Sequence, residues 1–237
     1  APKGFFAAGI NSKVKASGKL DLAILTCPSG ALGAGVFTTS TIVSPSVQLC
    51  RNNLKSRKIY AAVINSGCAN ACVGPQGYKD AEKMCSTLAS SLGVKKAEIA
   101  VASTGIIGET LSMNKIKPAL LKGAENLKAT PKAGLDFARA IMTTDTKPKS
   151  FAKTVTVNGG QIVIAAAAKG AGMIAPNMAT TICSVTTDAR ITKRILQISL
   201  KRAVRDSLNK LTVDGHQSTN DTAFIFASCL ASNRWIN

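Results

Sequence analysis

The chain has 237 residues, 46% of them apolar and only 4% aromatic, so it is long enough to bury a core built of Ala, Val, Ile and Leu. It has no apolar run near the roughly 18 residues that a membrane-spanning helix needs, so we expect no membrane partner. The net charge is +18, but the basic residues are dispersed, aromatic residues are few and no nucleic-acid-binding motif is present. We therefore expect the charge to favour solubility and to attract small anions, with no nucleic-acid partner.

The N-terminal residues and the cysteines indicate a reducing compartment. Residues 1–15 lack the long apolar stretch of a secretory signal, so we expect an intracellular protein, cytoplasmic or, in a eukaryote, in the mitochondrial matrix or a plastid. Seven scattered cysteines, an odd number, are typical of reduced thiols that pack as small apolar residues. Cys68, Cys72 and the single His216 do not supply the four paired ligands of a zinc site, so no metal is expected.

The first half of the chain predicts short buried strands between turns rich in Gly, Ser and Pro, at residues 20–27, 34–39 and 59–65. Residues 80–92 have helical spacing of apolar side chains, and Gly93 follows as a stop signal. Residues 97–104 predict another strand, which runs into a glycine turn at Thr104-Gly105.

The second half alternates helices with strands less regularly. Residues 151–168 predict a hairpin, because alternating apolar residues flank Asn158-Gly159. The other predicted elements are helices at about 113–127, 133–142 and 191–211 and strands at 182–186 and 222–231. This irregular order of helices and strands predicts an α+β or layered α/β fold rather than strict βαβ alternation.

Familiar catalytic motifs are absent from the sequence. No GxGxxG follows a strand, and neither a Walker A loop nor HExxH occurs. A Ser-His-Asp triad would have to use His216, which lies in the polar stretch DGHQSTND and is better interpreted as a solvated turn residue. A nucleophile that needs no histidine is therefore the more attractive hypothesis.

Two threonines directly follow a glycine-containing loop in KGAGMIAPNMATT, residues 169–181. A threonine that becomes an N-terminus carries its own general base, the freed α-amine. Cleavage of the Ala179–Thr180 bond would create one, and Gly170, Gly172 and Pro176 permit an unusual backbone before it. A strand-edge threonine whose hydroxyl is satisfied by the backbone is the alternative interpretation.

The stretch KGAGMIAPNMAT resembles the self-cleavage motif of the ornithine acetyltransferases, which are glutamate N-acetyltransferases of cyclic arginine biosynthesis. Further matches follow in the family's order and cover residues 3 to 232: GFFAAGINSKVK, DLAILTC, AGVFTT, INSGCANACVGPQGYKDA, STGIIGE, TTDTKPK, TTDA, TVDG and STNDT. The cleavage motif together with STGIIG is highly specific for this family.

The resemblance implies a layered fold related to the amidohydrolases with self-processed N-terminal nucleophiles. It also implies self-cleavage between Ala179 and Thr180 into an α-chain region, 1–179, and the N-terminal part of a β-chain region, 180–237. The associated α and β chains, expected to form a homo-oligomer, would move acetyl from N-acetylornithine to glutamate through an acetyl-threonine. No cofactor is implied, although acetyl-CoA is an alternative acetyl donor.

The resemblance also assigns residue roles. Thr180 matches the nucleophile, and Thr104 with Gly105 matches the pair that forms the oxyanion hole. Thr146 and Lys169 match positions that contact substrate, and Lys169 would also lower the pKa of the nearby α-amine.

Several positions depart from the family pattern. Thr181 stands where the family usually has Met, although the alignment favours Thr180 as nucleophile. Cys68 replaces an amide residue, and His216-Gln217 replaces Asp-Thr. The resemblance fades after residue 232, whereas family members continue with further substrate-binding residues, so we expect an incomplete or divergent member.

Two alternative functions remain open from the sequence. One is a related self-processing aminopeptidase or amidase, and the other is a non-catalytic fragment or basic binding protein.

Overall fold

The computed structural model describes residues 1–175 and 181–237, so the predicted cleavage pair Ala179 and Thr180 lies outside the described residues. The strands in these ranges are β1 (Phe6–Ile10), β2 (Leu22–Phe37), β3 (Ile59–Cys68), β4 (Ile99–Ile106), β5 (Lys149–Val157), β6 (Gly160–Lys169), β7 (Ile182–Thr187) and β8 (Thr222–Ala227). The α-helices are α1 (Pro45–Asn53), α2 (Gly74–Leu92), α3 (Met113–Glu125), α4 (Pro131–Ala140) and α5 (Lys193–Asp206). No helix in the described ranges is long and apolar enough to cross a membrane.

Strand β2 bends and changes partners part-way along its 16 residues. Its first part, residues 22–26, pairs with β1 on one edge and β3 on the other, whereas residues 32–37 pair with β8. The register shifts between these parts, where Gly30 adopts a left-handed φ of 72°. The prediction of two strands separated by a turn, at 20–27 and 34–39, is therefore wrong, because the Pro-Ser-Gly turn signal at 28–30 is a bend within one strand.

The bend divides one sheet into two halves. Strand order is β4-β3-β2-β8-β7-β6-β5, with β1 also on β2. We call β1, β3, β4 and the start of β2 the first half-sheet, and β5 to β8 with the end of β2 the second half-sheet. The pairs β3–β4 and β7–β8 are parallel, which brings the carboxyl end of β4 beside that of β3 and the starts of β7 and β8 side by side.

The side chains of β8 show how the layers stack. Phe224 and Phe226 belong to the main core, together with Ile24 of the first half-sheet, whereas Ala223 and Ala227 pack in a second cluster with α5. Since alternate side chains of a strand point to opposite faces, the second half-sheet lies between the first half-sheet and α5. Helices α1 and α4 contact β4 and β1 of the first half-sheet. The result is a layered α/β fold.

Most predicted elements are present, with changed bounds. The hairpin is confirmed, with positive φ at Asn158 and Gly159 between β5 and β6. Helix α2 begins at Gly74 rather than near residue 80, because Pro75 occupies its first turn, where no backbone donor is needed. Helix α5 ends at Asp206 rather than 211. Strand β1 and helix α1 were not predicted; α1 has the start signal Ser44-Pro45, whose hydroxyl accepts from the Val47 N–H.

The packing of α4 on β1 depends on Gly9. A Cβ added to Gly9 would lie 2.2 Å from the carbonyl oxygen of Asp136 in α4, whereas one added to Gly134, also in α4, would meet nothing within 4 Å.

We expect Gly9→Ala to lower the free energy of unfolding by about 1–3 kcal/mol through overpacking. Gly134→Ala, the matched control, should raise it by up to about 1 kcal/mol because alanine favours helix. Chemical denaturation measures both; equal effects would show that the close approach at Gly9 is not needed.

Candidate active site

A buried lysine joins the two half-sheets. Lys169, the last residue of β6, is 3% exposed, and its Nζ donates a hydrogen bond to Thr104 Oγ1 of β4 over 3.2 Å. Thr104 is itself 4% exposed. These two predicted site residues are 65 positions apart in the chain and on different half-sheets, yet they are in direct contact.

The turn after Thr104 has room only for glycine at residue 105. Gly105 has φ 137°, and a Cβ there would lie 2.3 Å from the carbonyl carbon of Gly67 in the neighbouring strand. The Ala69 N–H donates to the Ile106 carbonyl over 2.8 Å, so the turn is held against the segment that follows β3. Thr104 and Gly105 thus form a tightly packed turn at the strand end, and their role as an oxyanion hole stays a prediction.

Buried polar side chains hold this strand end in place. The Asn220 side-chain amide donates to the carbonyl oxygens of Ser103 over 2.9 Å and Ala69 over 2.6 Å. The hydroxyls of Ser46 and Ser103 lie 2.7 Å apart and share a hydrogen bond. Asn220 comes from the connection before β8, so the second half-sheet also fixes the end of β4.

The residue after the predicted nucleophile is bound by a carboxylate. The Thr181 N–H donates to Asp221 Oδ1 over 3.1 Å, and the Thr222 N–H donates to the Thr181 carbonyl over 3.0 Å. In the sheet, Ile182 pairs with Lys169 on one side and with Thr222 on the other. The start of β7 therefore lies between Lys169 and Asp221. Thr180 comes two residues before Ile182 and lies outside the described residues, so its assignment as nucleophile stays a prediction.

Burial shifts the pKa values of Asp221 and Lys169 in opposite directions. Burial raises the pKa of Asp221 to about 8, and the Thr181 N–H, Ser218 and the Lys169 charge offset this only in part. Burial lowers the pKa of Lys169, against the opposing charges of Asp145 and Asp221. Both shifts favour the uncharged forms, which is the expected direction when ionisable groups are taken out of water.

Asp145 connects Thr146 to the site. Its carboxylate is buried and accepts hydrogen bonds from Lys149 and from the backbone N–H of Gly170, which follows Lys169. Burial would raise the pKa of Asp145, but these hydrogen bonds outweigh it and lower the pKa. Thr146 itself is exposed beside Asp145. A substrate contact by Thr146 remains a prediction.

The structure brings to this region several residues for which the sequence predicts no role. They are Lys15, Asp145, Asp214, Asn220 and Asp221. Each lies inside a stretch that carries the family resemblance (GINSKVK, TTDT, TVDG or STNDT), and this was the available signal. Side-chain roles could not follow from it, because each contact depends on partners remote in the chain.

His216 and Cys68, two other residues that the sequence singles out, have contacts typical of structural residues. His216 is exposed and pairs with Asp214 over 3.4 Å, as a solvated turn residue would. Cys68 is buried, and its thiol donates to the Glu109 carbonyl over 3.1 Å. Burial raises the pKa of that thiol, so it remains protonated and weakly nucleophilic.

An open apolar cavity of about 340 Å³ lies elsewhere, between the N-terminus, α4 and the β5–β6 hairpin. Phe5, Phe137 and Phe151 line it, and none of the candidate site residues does. Its walls are mainly apolar, whereas buried ionisable side chains gather around Thr104 and Lys169.

The family model of ArgJ matches residues 6–236. The chain belongs to the ArgJ family. It is 44% identical over 234 residues to the arginine biosynthesis bifunctional protein ArgJ of Dehalococcoides mccartyi, which covers 98% of the chain and 57% of that relative. It is also 44% identical over 234 residues to the glutamate N-acetyltransferase of Methanocaldococcus jannaschii, covering 98% and 56%. The chain thus spans little more than half the length of these relatives.

Solved ArgJ structures share the fold. The ArgJ protein of Bacillus halodurans is 36% identical with a TM-score of 0.71, over 75% of this chain and 92% of that one. Ornithine acetyltransferase of Mycobacterium tuberculosis, solved with ornithine, is 34% identical with a TM-score of 0.66, over 74% and 93%. An aminopeptidase of the N-terminal-nucleophile hydrolase fold from Ochrobactrum anthropi, 11% identical with a TM-score of 0.57, shares the fold alone. The predicted relation to that fold class is confirmed.

The raised pKa of Asp221 predicts a pH dependence of stability. Asp221 keeps its proton to about pH 8 in the folded chain, whereas an unfolded aspartate loses it near pH 4. Ionisation between these values therefore favours the unfolded chain, and the free energy of unfolding should fall as pH rises through that window. Asp221→Asn cannot ionise and should remove this fall, which denaturation series at pH 5, 6, 7 and 8 would measure.

The control is Asp206→Asn. The hydrogen bond from Arg205 lowers the pKa of the exposed Asp206, so this variant should alter the slope only in acid, where stability is lost as pH falls. An Asp221→Asn chain with the wild-type slope between pH 5 and 8 would show that Asp221 ionises normally.

Proposed function

We propose that this chain forms the nucleophile and oxyanion part of an ornithine acetyltransferase that moves acetyl from N-acetylornithine to glutamate in arginine biosynthesis. The observation that carries the proposal is the buried contact between Lys169 Nζ and Thr104 Oγ1, beside the strand that begins after Thr180. It brings two separate family motifs, STGIIGE and KGAGMIAPNMAT, to one place. The residues 1–179 would form the α chain, and 180–237 the start of the β chain.

Self-cleavage comes first in this proposal. The Thr180 hydroxyl attacks the Ala179 carbonyl carbon, the C–N bond breaks, and the acyl group shifts to oxygen as an ester. Water then hydrolyses the ester, which leaves a carboxylate on Ala179 and a free amine on Thr180. Thr104 and Gly105 would donate hydrogen bonds to the oxyanion in both steps, and a donor of this kind contributes about 100-fold or more to the rate.

Acetyl transfer uses the same groups. The Thr180 hydroxyl attacks the acetyl carbonyl of N-acetylornithine, its proton passes through the α-amine to the departing ornithine, and acetyl remains on the oxygen. The glutamate amine then attacks this ester, and the hydroxyl regains a proton. Lys169 and Thr146 would contact the substrates. A lysine with a pKa lowered by burial, as Lys169 has, suits a position beside a reacting amine.

The proposal includes partners and location. The α and β chains would remain associated as αβ units, which assemble further into a homo-oligomer. No cofactor is required, and acetyl-CoA would be an alternative acetyl donor. We place the protein in the cytoplasm; a relative from Dictyostelium discoideum, 41% identical, carries the designation mitochondrial, which makes the matrix the alternative.

A second candidate is a self-processing aminopeptidase or amidase, favoured by the shared fold of the Ochrobactrum enzyme. The two differ in the acceptor that takes the acyl group from Thr180, an amine for the transferase and water for the hydrolase. Incubation with N-acetylornithine, with and without glutamate, separates them. N-acetylglutamate formation supports the transferase, and free acetate or peptide hydrolysis alone supports the hydrolase.

Self-cleavage predicts the masses of the polypeptides that a purified sample contains. A denaturing mass spectrum should show two fragments whose masses sum to that of the precursor plus one water, because the ester is hydrolysed. The second fragment should begin TTICSV, because cleavage precedes Thr180. Thr180→Val removes the hydroxyl at similar volume and should leave a single species, whereas Thr181→Val, the matched control, should still be cut. A fragment that begins at Thr181 would overturn the nucleophile assignment.

Thr104 should matter more for catalysis than for stability. Thr104→Ala removes the hydroxyl that Lys169 contacts, and we expect acetyl transfer to fall by about 100-fold or more as an oxyanion donor is lost. The melting temperature should change by only a few degrees. Thr26→Ala is the control, since Thr26 is equally buried at 3% but lies on β2 away from the site. Parallel losses of activity and stability in both variants would show that Thr104 is only structural.

A further inference from the structure

Both flanks of the predicted cleavage segment are held by one connection. The segment 176–180 has described residues on each side, Ile174 and Ala175 before it and Thr181 after it. The connection runs from residue 211 to residue 221, between α5 and β8, and it supplies an aspartate side chain to each flank.

Asp214 binds the upstream flank with both oxygens. Its Oδ2 accepts the Met173 N–H over 2.6 Å, and its Oδ1 accepts the Ile174 N–H over 2.9 Å. The Ile174 carbonyl in turn accepts from the backbone N–H groups of Val213 over 2.9 Å and Gly215 over 3.2 Å. Residue 174 is therefore fixed through its donor and its acceptor, and its side chain is 4% exposed.

The downstream flank is fixed in the same manner. The Thr181 N–H donates to Asp221, and the Thr181 carbonyl accepts from Thr222. Asp221 is itself anchored, since its carbonyl accepts the Thr38 N–H over 2.9 Å. Each flank thus has an N–H bound by the carboxyl group of an aspartate and a carbonyl bound by the adjoining backbone.

We propose that Asp214 and Asp221 form a clasp that positions the two flanks of the cleavage segment for self-cleavage. This rests on the proposed function, which supplies the cleavage. Intramolecular reactions are fast when reacting groups are held near their attack geometry, and small misplacements cost large factors in rate. Asp214 is a positioning residue, because it acts through the backbone of Met173 and Ile174.

Asp214→Asn tests the clasp with little change in volume. An amide has one acceptor oxygen and would turn its NH₂ toward one of the two backbone N–H donors, so the paired contact is lost. We expect self-cleavage to slow by tenfold or more. Asp214→Glu keeps two acceptor oxygens and should cleave faster than Asp214→Asn. Asp206→Asn is the matched control: Asp206 is exposed, pairs with Arg205, and should be cleaved at the wild-type rate.

The measurement is a pulse of cell-free synthesis, followed by denaturing mass spectrometry of precursor and fragments over time. Hydrogen exchange of the wild-type protein gives a second test that needs no variant, and the Met173 and Ile174 amides should be protected. Asp214→Asn cleavage within twofold of wild type, or unprotected amides, overturns the clasp alone. A wild-type chain that is never cleaved overturns the self-cleavage in the proposed function, and the clasp with it.

Discussion

The burial of the Lys169 amine is the constraint on which the site depends. A buried polar group is costly unless it finds partners, and the Lys169 amine has the Thr104 hydroxyl in contact and the carboxyl groups of Asp145 and Asp221 nearby. These groups come from β4, the segment before β5 and the connection before β8. The half-sheets therefore meet at this point, which adjoins Thr181 and the start of β7.

The bend in β2 makes this meeting possible. Strands β4 and β6 are far apart in the order of the sheet, and a flat sheet would keep them apart. Because β2 changes partners near Gly30, the second half-sheet can stack on the first and bury Phe224 and Phe226 against it. The hydrophobic core thus supplies the free energy that brings a polar site together.

The connection before β8, residues 211–221, contacts several parts of the candidate site. Asn220 supports the Thr104-Gly105 turn through the Ser103 carbonyl, Asp221 holds Thr181, and Asp214 holds Met173 and Ile174. If the chain is cut before Thr180, Asp214 lies on one product and its two backbone donors on the other. The clasp would then be a contact between the α and β chains, and it would keep the new ends close to each other after cleavage.

The sequence by itself determined the family, the layered fold class and most of the elements, and it predicted roles for Thr104, Gly105 and Lys169, because these depend on local patterns and on motifs such as STGIIG and KGAGMIAPNMAT. Only the tertiary structure decided that β2 is continuous and that Lys169 contacts Thr104. It also decided that the side chains of Asp214 and Asp221 bind the two flanks of the segment 176–180. Each joins residues remote in the chain, such as 104 and 169, and the raised pKa of Asp221 arises only after burial. A short sequence window contains neither the partner nor the exclusion of water on which such contacts depend.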